Sequence, residues 1–108
     1  MTKPLLDRVK KDPFLLKGLT EEEQTPELCL AAVQQDGMAL EYVKNQTPEI
    51  CLAAVRQNGW SLEYVNHQTQ AIVLEALKQQ PDSIQYVKDK RHLGLWKALS
   101  LYEELKYD

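Results

Sequence analysis

The sequence predicts an all-α fold: a short α-solenoid, right-handed or irregular, of about four 22-residue helix-pair repeats with a longer C-terminal capping helix. Three observations lead there. Gln24 to Asn45 is written out again from Gln46 to His67. Both copies open on Gln-Thr-Pro-Glu; Leu28-Cys29-Leu30-Ala31-Ala32-Val33 returns as Ile50-Cys51-Leu52-Ala53-Ala54-Val55, and Leu40-Glu41-Tyr42-Val43 as Leu62-Glu63-Tyr64-Val65. Gln68 to Asp89 keeps the same register without a gap, with Ile72, Ala76, Leu77, Ile84, Tyr86 and Val87 under their counterparts. Within each copy the apolar residues recur at helical spacing, so each unit can bury its apolar face only against its neighbours.

The chain divides as one domain, 1–108, with units at about 3–23, 24–45, 46–67 and 68–89 and a closing helix in 90–108. In the first unit Leu5, Leu6, Val9, Leu16 and Leu19 match Cys29, Leu30, Val33, Leu40 and Val43 once two extra residues are allowed in its closing loop. The first helix of a unit starts at an N-capping threonine, Thr25 or Thr47. Pro26 or Pro48 stands at the first helical position, where a missing N–H costs nothing, and Glu27 or Glu49 faces the positive end of the helix dipole. About eleven residues bring it to Gln35 or Gln57. Leu28, Cys29, Ala32 and Val33 form its buried stripe, and the exchange of Ala31 and Ala53 for Glu75 and Lys97 predicts a solvent-facing position.

Asp36-Gly37 and Asn58-Gly59 would suit a left-handed glycine ending that helix. Their equivalents Asp12-Pro13 and Gln80-Pro81 forbid it, because proline holds φ negative. Asp12, Asp36 and Asn58 are therefore read as N-caps of a second, short helix of about seven residues, which inserts Leu40 with Val43, Leu62 with Val65 and Ile84 with Val87 at i, i+3. So short a helix needs tertiary packing to exist. The closing helix, about Leu93 to Lys106, carries Leu95, Ala98, Leu99, Tyr102 and Leu105 on one stripe that can seal the end of the stack, with Trp96 in a position otherwise held by leucine.

Composition narrows the function classes. Hydrophobic residues at 44% and charged residues at 27% fit a soluble globular chain, and the net charge of −3 lacks the basic excess of a phosphate binder. Charge precedes any long apolar run at the N-terminus and no stretch reaches the about 18 apolar residues of a membrane span. The expectation is a cytoplasmic protein, or one delivered into a host cell by a route not written in the sequence. Cys29 and Cys51, in equivalent positions, read as small buried hydrophobes and not as a disulfide, since stacked helices are spaced more widely than a bridge allows. His67 and His92 have no partners at metal-ligand spacing, Glu21-Glu22-Glu23 reads as a solvated loop, and no phosphate loop or nucleophile motif occurs. Neither a cofactor, nor a metal, nor catalysis is expected.

Two ladders remain. Tyr42, Tyr64 and Tyr86 recur every 22 residues. Their rings either pack between units with the hydroxyls on loop carbonyls or form an aromatic strip along a groove. The position after the junction holds Phe14, Met38, Trp60 and Asp82; it points outward as part of a binding surface, or is partly buried between neighbouring second helices. Met38, Trp60, Tyr42, Tyr64 and Tyr86 are the candidate binding residues.

The unit as it stands in Thr47 to Val65, Thr-Pro-Glu-Ile-Cys-Leu-Ala-Ala-Val-Arg-Gln-Asn-Gly-Trp-Ser-Leu-Glu-Tyr-Val, resembles a family of tandem bacterial and viral repeats known only as a domain of unknown function. Units 24–45 and 46–67 match its pattern closely; the third departs at Gln80-Pro81-Asp82, and the outer units agree in their apolar positions. The resemblance implies a helical array and brings no catalytic residues. The expected function is a non-catalytic protein-interaction module. A small inhibitor that blocks a host or competitor enzyme is the alternative, and a nucleic-acid binder or small enzyme the alternative of another class. The expected state is a monomer or a weak homodimer through Trp96, Leu101 and Leu105.

Overall fold

The structure, a computed structural model, describes residues 4–94 and 96–97. α-Helices alternate with 3-10 helices: α1 (Leu5–Lys11), η1 (Pro13–Gly18), α2 (Pro26–Gln35), η2 (Gly37–Tyr42), α3 (Pro48–Gln57), η3 (Gly59–Tyr64), α4 (Gln70–Gln79), η4 (Pro81–Tyr86) and the short η5 (Lys90–His92). No strand occurs among the described residues, and the chain is all-helical. The α-helices pack side by side, each on the next. The 3-10 helices form a second row, and η2 and η3 each touch both their own α-helix and the following one.

The capping chemistry explains why each element begins where it does. Thr25, Thr47 and Thr69 accept from the backbone N–H groups of Leu28, Ile50 and Ile72 at 3.2–3.3 Å, so α2, α3 and α4 start in the same way. Each runs ten residues, one short of expectation. Asp12, Asp36 and Asn58 accept from Phe14, Met38 and Trp60 N–H at 3.0–3.2 Å, as expected of second-helix caps. No described glycine has positive φ, which agrees with the comparison to Pro13 and Pro81. The second element is a six-residue 3-10 helix, not a seven-residue α-helix. With three residues per turn, the i, i+3 pairs Leu40–Val43 and Leu62–Val65 fall on one edge, which an α-helix would rotate apart.

The core lies between the two rows. Val9, Val33, Val55 and Leu77 form one column and Leu16, Leu40 and Leu62 another, all fully buried. Two positions differ from expectation or break a column. Ala31, expected in solvent, is only 8% exposed: its position opens into the crevice between adjacent α-helices, where a small side chain is covered and the longer Glu75 reaches Arg56 at 3.7 Å. Ile84 continues the Leu40–Leu62 column yet is 38% exposed. Trp96 is partly buried against the core, whereas the rest of the closing-helix stripe, Leu95, Ala98, Leu99, Tyr102 and Leu105, lies outside the described residues, as does Leu101.

Ser83 is fully buried and its hydroxyl finds no partner among the described residues, while the equivalent Ser61 hydroxyl meets Met38 Sδ at 3.7 Å. Ala39 fills the same place in η2 with no exposure. Ser83→Ala is therefore expected to raise stability by about 1 kcal/mol, since an unmade buried hydrogen bond costs about 1–3 kcal/mol. The urea midpoint measures it, and a fall would mean that the hydroxyl is paired.

Candidate protein-interaction surface

The 3-10 row is held in register by a glutamine not singled out in the sequence. Nε2 of Gln24, Gln46 and Gln68 donates to the backbone carbonyls of Tyr42, Tyr64 and Tyr86 at 2.7, 2.7 and 2.8 Å. Oε1 of the same residues accepts from Lys44, Asn66 and Lys88 N–H at 2.9, 2.9 and 3.0 Å. Each glutamine thus pins the chain on both sides of the valine that caps a 3-10 helix. Gln24 also donates to Leu16 O at 2.9 Å and Gln68 to Leu62 O at 3.3 Å, which ties them to the preceding 3-10 helix. The available signal was identity: glutamine opens all three copies.

With the tyrosine backbones fixed, their rings are placed. Tyr42, Tyr64 and Tyr86 are half-buried, as are Met38 and Trp60, while Phe14 and Asp82 are exposed. The two ladders interlock. Phe14 of η1 meets Tyr42 of η2 edge to face at 6.1 Å and 84°, and Trp60 of η3 meets Tyr86 of η4 at 6.0 Å and 79°. This is the favoured geometry for aromatic pairs. At these two places the residue after the junction leans on the tyrosine of the next 3-10 helix, so Tyr42 and Tyr86 pack against the preceding pair. Their hydroxyls reach no loop carbonyl among the described residues; it is their backbone carbonyls that are engaged.

Carboxylates flank the row. Glu41 and Glu63 are exposed on the residues just before Tyr42 and Tyr64. Partial burial first, then the charges of Glu41 and Glu63, hold the Tyr64 hydroxyl above the ordinary tyrosine value. At the start of the row, Lys17 Nζ stands 5.8 Å from the centroid of the Tyr42 ring.

Cys29 and Cys51 are free and buried, with Cys51 Sγ 3.4 Å from Gln46 Oε1, and burial pushes the Cys51 thiol up to about 11. His67 is exposed and His92 half-buried, and no three His, Cys, Asp or Glu among the described residues converge on a metal-sized site. Of the acidic loop, Glu23 and Thr20 cap each other's N–H at 2.9 and 3.2 Å, one tight turn that absorbs the extra residues, while Glu21 accepts from Asn45. A shallow apolar depression lies between the first turns of α2 and α3, lined by Pro26, Leu30, Pro48 and Ile50 with Glu27 and Glu49 at its rim. No described helix is long and apolar enough to cross a membrane.

No curated protein and no solved structure matches the chain. The family described as "Domain of unknown function (DUF4116)" matches residues 25–70 and again 47–90, which together take in α2 through η4. Those segments hold the threonine caps, the clamps of Gln46 and Gln68 and most of the aromatic row, and on that match the chain belongs to the DUF4116 family.

Proposed function

We propose that the protein is a non-catalytic protein-interaction module: a short α-solenoid of about four 22-residue helix pairs whose 3-10 row, carrying Met38, Trp60, Tyr42, Tyr64 and Tyr86, engages a protein partner. The observation that carries this reading is the interlocking of the two ladders. It makes a strip of half-buried aromatic side chains that are rigid yet still open to contact. Aromatic residues held in this way bring large contact area at small entropic cost, and they dominate interface energetics. The partner is met by a protein working in the cytoplasm, as a monomer or a weak homodimer.

Trp60→Ala tests the reading. Loss of the Trp60–Tyr86 contact is expected to cost about 1 kcal/mol of stability, whereas loss of an interface anchor is expected to cost about 2 kcal/mol or more of binding, roughly a thirtyfold weakening. Affinity capture with wild type and variant side by side, read by mass spectrometry, should show a partner retained only by wild type, with the fold intact by circular dichroism. The same partners in both would move the contact to the depression between α2 and α3. A variant that unfolds would make Trp60 a core residue and end the proposal.

A further inference from the structure

Lys17, Glu41, Glu63 and Gln85 occupy one place in η1 to η4, directly before the last residue of each 3-10 helix. In the first of these the chain shows what chemistry the row accepts: Lys17 of η1 puts its ammonium near the face of Tyr42 in η2. It is the one such cation–ring contact among the described residues. One step along, the same place in η2 holds Glu41, and the tyrosine of the next 3-10 helix is Tyr64. The sign is inverted there: Glu41 in the pair before and Glu63 beside Tyr64 in its own 3-10 helix are both exposed carboxylates, and after partial burial their charges help hold the Tyr64 hydroxyl above its ordinary value. An aromatic face beside free carboxylates suits a guanidinium or ammonium, which stacks on the ring while its N–H groups meet the carboxylate oxygens.

We propose that the tyrosine row binds a cationic segment of a protein partner, extended and carrying arginine or lysine at about every third residue, one cation to each of the rungs Glu41–Tyr64 and Glu63–Tyr86. The proposal rests on the interaction reading above and adds the partner's chemistry. The spacing follows from the packing. Adjacent helices stack about 8–10 Å apart, and an extended polyproline-type chain rises about 3.1 Å per residue, so a rung comes round every third residue. The chain's net charge of −3 and exposed Asp82, beyond Trp60, act in the same direction.

The test uses the full chain and two synthetic peptides of about twelve residues, one with arginine at every third position on a proline–serine background, the other with citrulline in place of arginine. Citrulline keeps the shape and removes the charge. Calorimetry at low salt with amide-shift mapping is expected to give a Kd on the order of 10 μM for the arginine peptide. Shifts should centre on Glu41–Val43 and Glu63–Val65, with binding at least about tenfold weaker for citrulline. Glu41→Gln with Glu63→Gln should weaken the arginine peptide about tenfold without moving the melting temperature. Lys17→Glu, which extends the carboxylate–tyrosine pattern by one rung, should tighten it several-fold. Equal affinity for both peptides, with shifts on the row, would overturn the charge assignment and leave the interaction reading standing. Shifts centred on Glu21–Glu23 or the Glu27–Glu49 rim would overturn it as general acidic attraction. Binding of neither peptide would also overturn it, and the interaction reading would then stand or fall on the Trp60→Ala capture alone.

Discussion

Gly37→Ala is expected to lower stability by about 3 kcal/mol, at the upper end of the range for an overpacked core, and the melting temperature by roughly 10 °C. The reason is not backbone freedom, since φ is negative at every described glycine. A Cβ built on Gly37 would run into the carbonyl oxygen of Ala54 in the next α-helix and stand 2.7 Å from Ser61 Oγ. At Gly59 the obstacles are Ala76 O at 2.6 Å and Gln80 Cβ at 2.8 Å. A helix carbonyl cannot swing aside, so the two pairs must part. Against this, alanine gains only about 0.4–1 kcal/mol by restricting the unfolded chain, and the clash wins. Gly18→Ala is the control: nothing lies within 4 Å of its Cβ, so that gain should appear unopposed. Equal urea midpoints for Gly37→Ala and Gly18→Ala would mean that the pairs are not held this close.

The second large effect is expected at Gln24, which is buried and uses its whole amide. Gln24→Leu keeps the volume and removes the clamp. Leu16 O retains its bond from Leu19 N–H, but Tyr42 O and Lys44 N–H lose their bonds to the Gln24 amide. At about 1–3 kcal/mol for each buried group left unpaired, and less for Lys44 because that residue is exposed, the expected loss is about 3 kcal/mol. Gln24→Glu distinguishes the clamp from simple packing. Its carboxylate would face two carbonyl oxygens, so its pKa in the folded state would lie above the unfolded value of about 4.3. The folded state then binds the proton more tightly. Stability of this variant should be lowest near neutrality and recover as pH falls through the folded pKa toward the unfolded one. A pH-independent deficit would reduce Gln24 to a space filler.

Much of this architecture could be read from residues that repeat with variation. Thr25, Asp36 and Asn58 announced their capping roles by chemistry and position, and Pro13 and Pro81 settled the sign of φ at Gly37 and Gly59. What variation could not reveal is distance. Glycine at the junction satisfies a close approach between neighbouring pairs, and a single sequence carries no record of how near a carbonyl in the next helix comes. Pro13 and Pro81, half-buried and exposed, occur where the junction is less enclosed. Glu75 and Lys97 point to an outer face at the position of Ala31, but a short side chain there is covered while a long one such as Glu75 reaches out to Arg56. The i, i+3 spacing of Leu40 and Val43 already contained the 3-10 period, yet six residues are too few to separate it from one α-turn without coordinates. Among the candidate binding residues, the two ladders were visible separately; their meeting was not, because it joins Trp60 to Tyr86 across 26 positions of chain.

The glutamine clamp makes chain length a quantised property. Gln24, Gln46 and Gln68 each close a loop on residues 18 and 20 positions ahead. A gene that lengthens by a whole 22-residue stretch carries a new clamp, cap and junction together and leaves the old ones intact. An insertion of any other size between a glutamine and its target must be looped out, as the Thr20–Glu23 turn does ahead of Gln24, or else it breaks a clamp. Growth and shrinkage of such a chain would then proceed in whole steps, each adding or removing one tyrosine from the row.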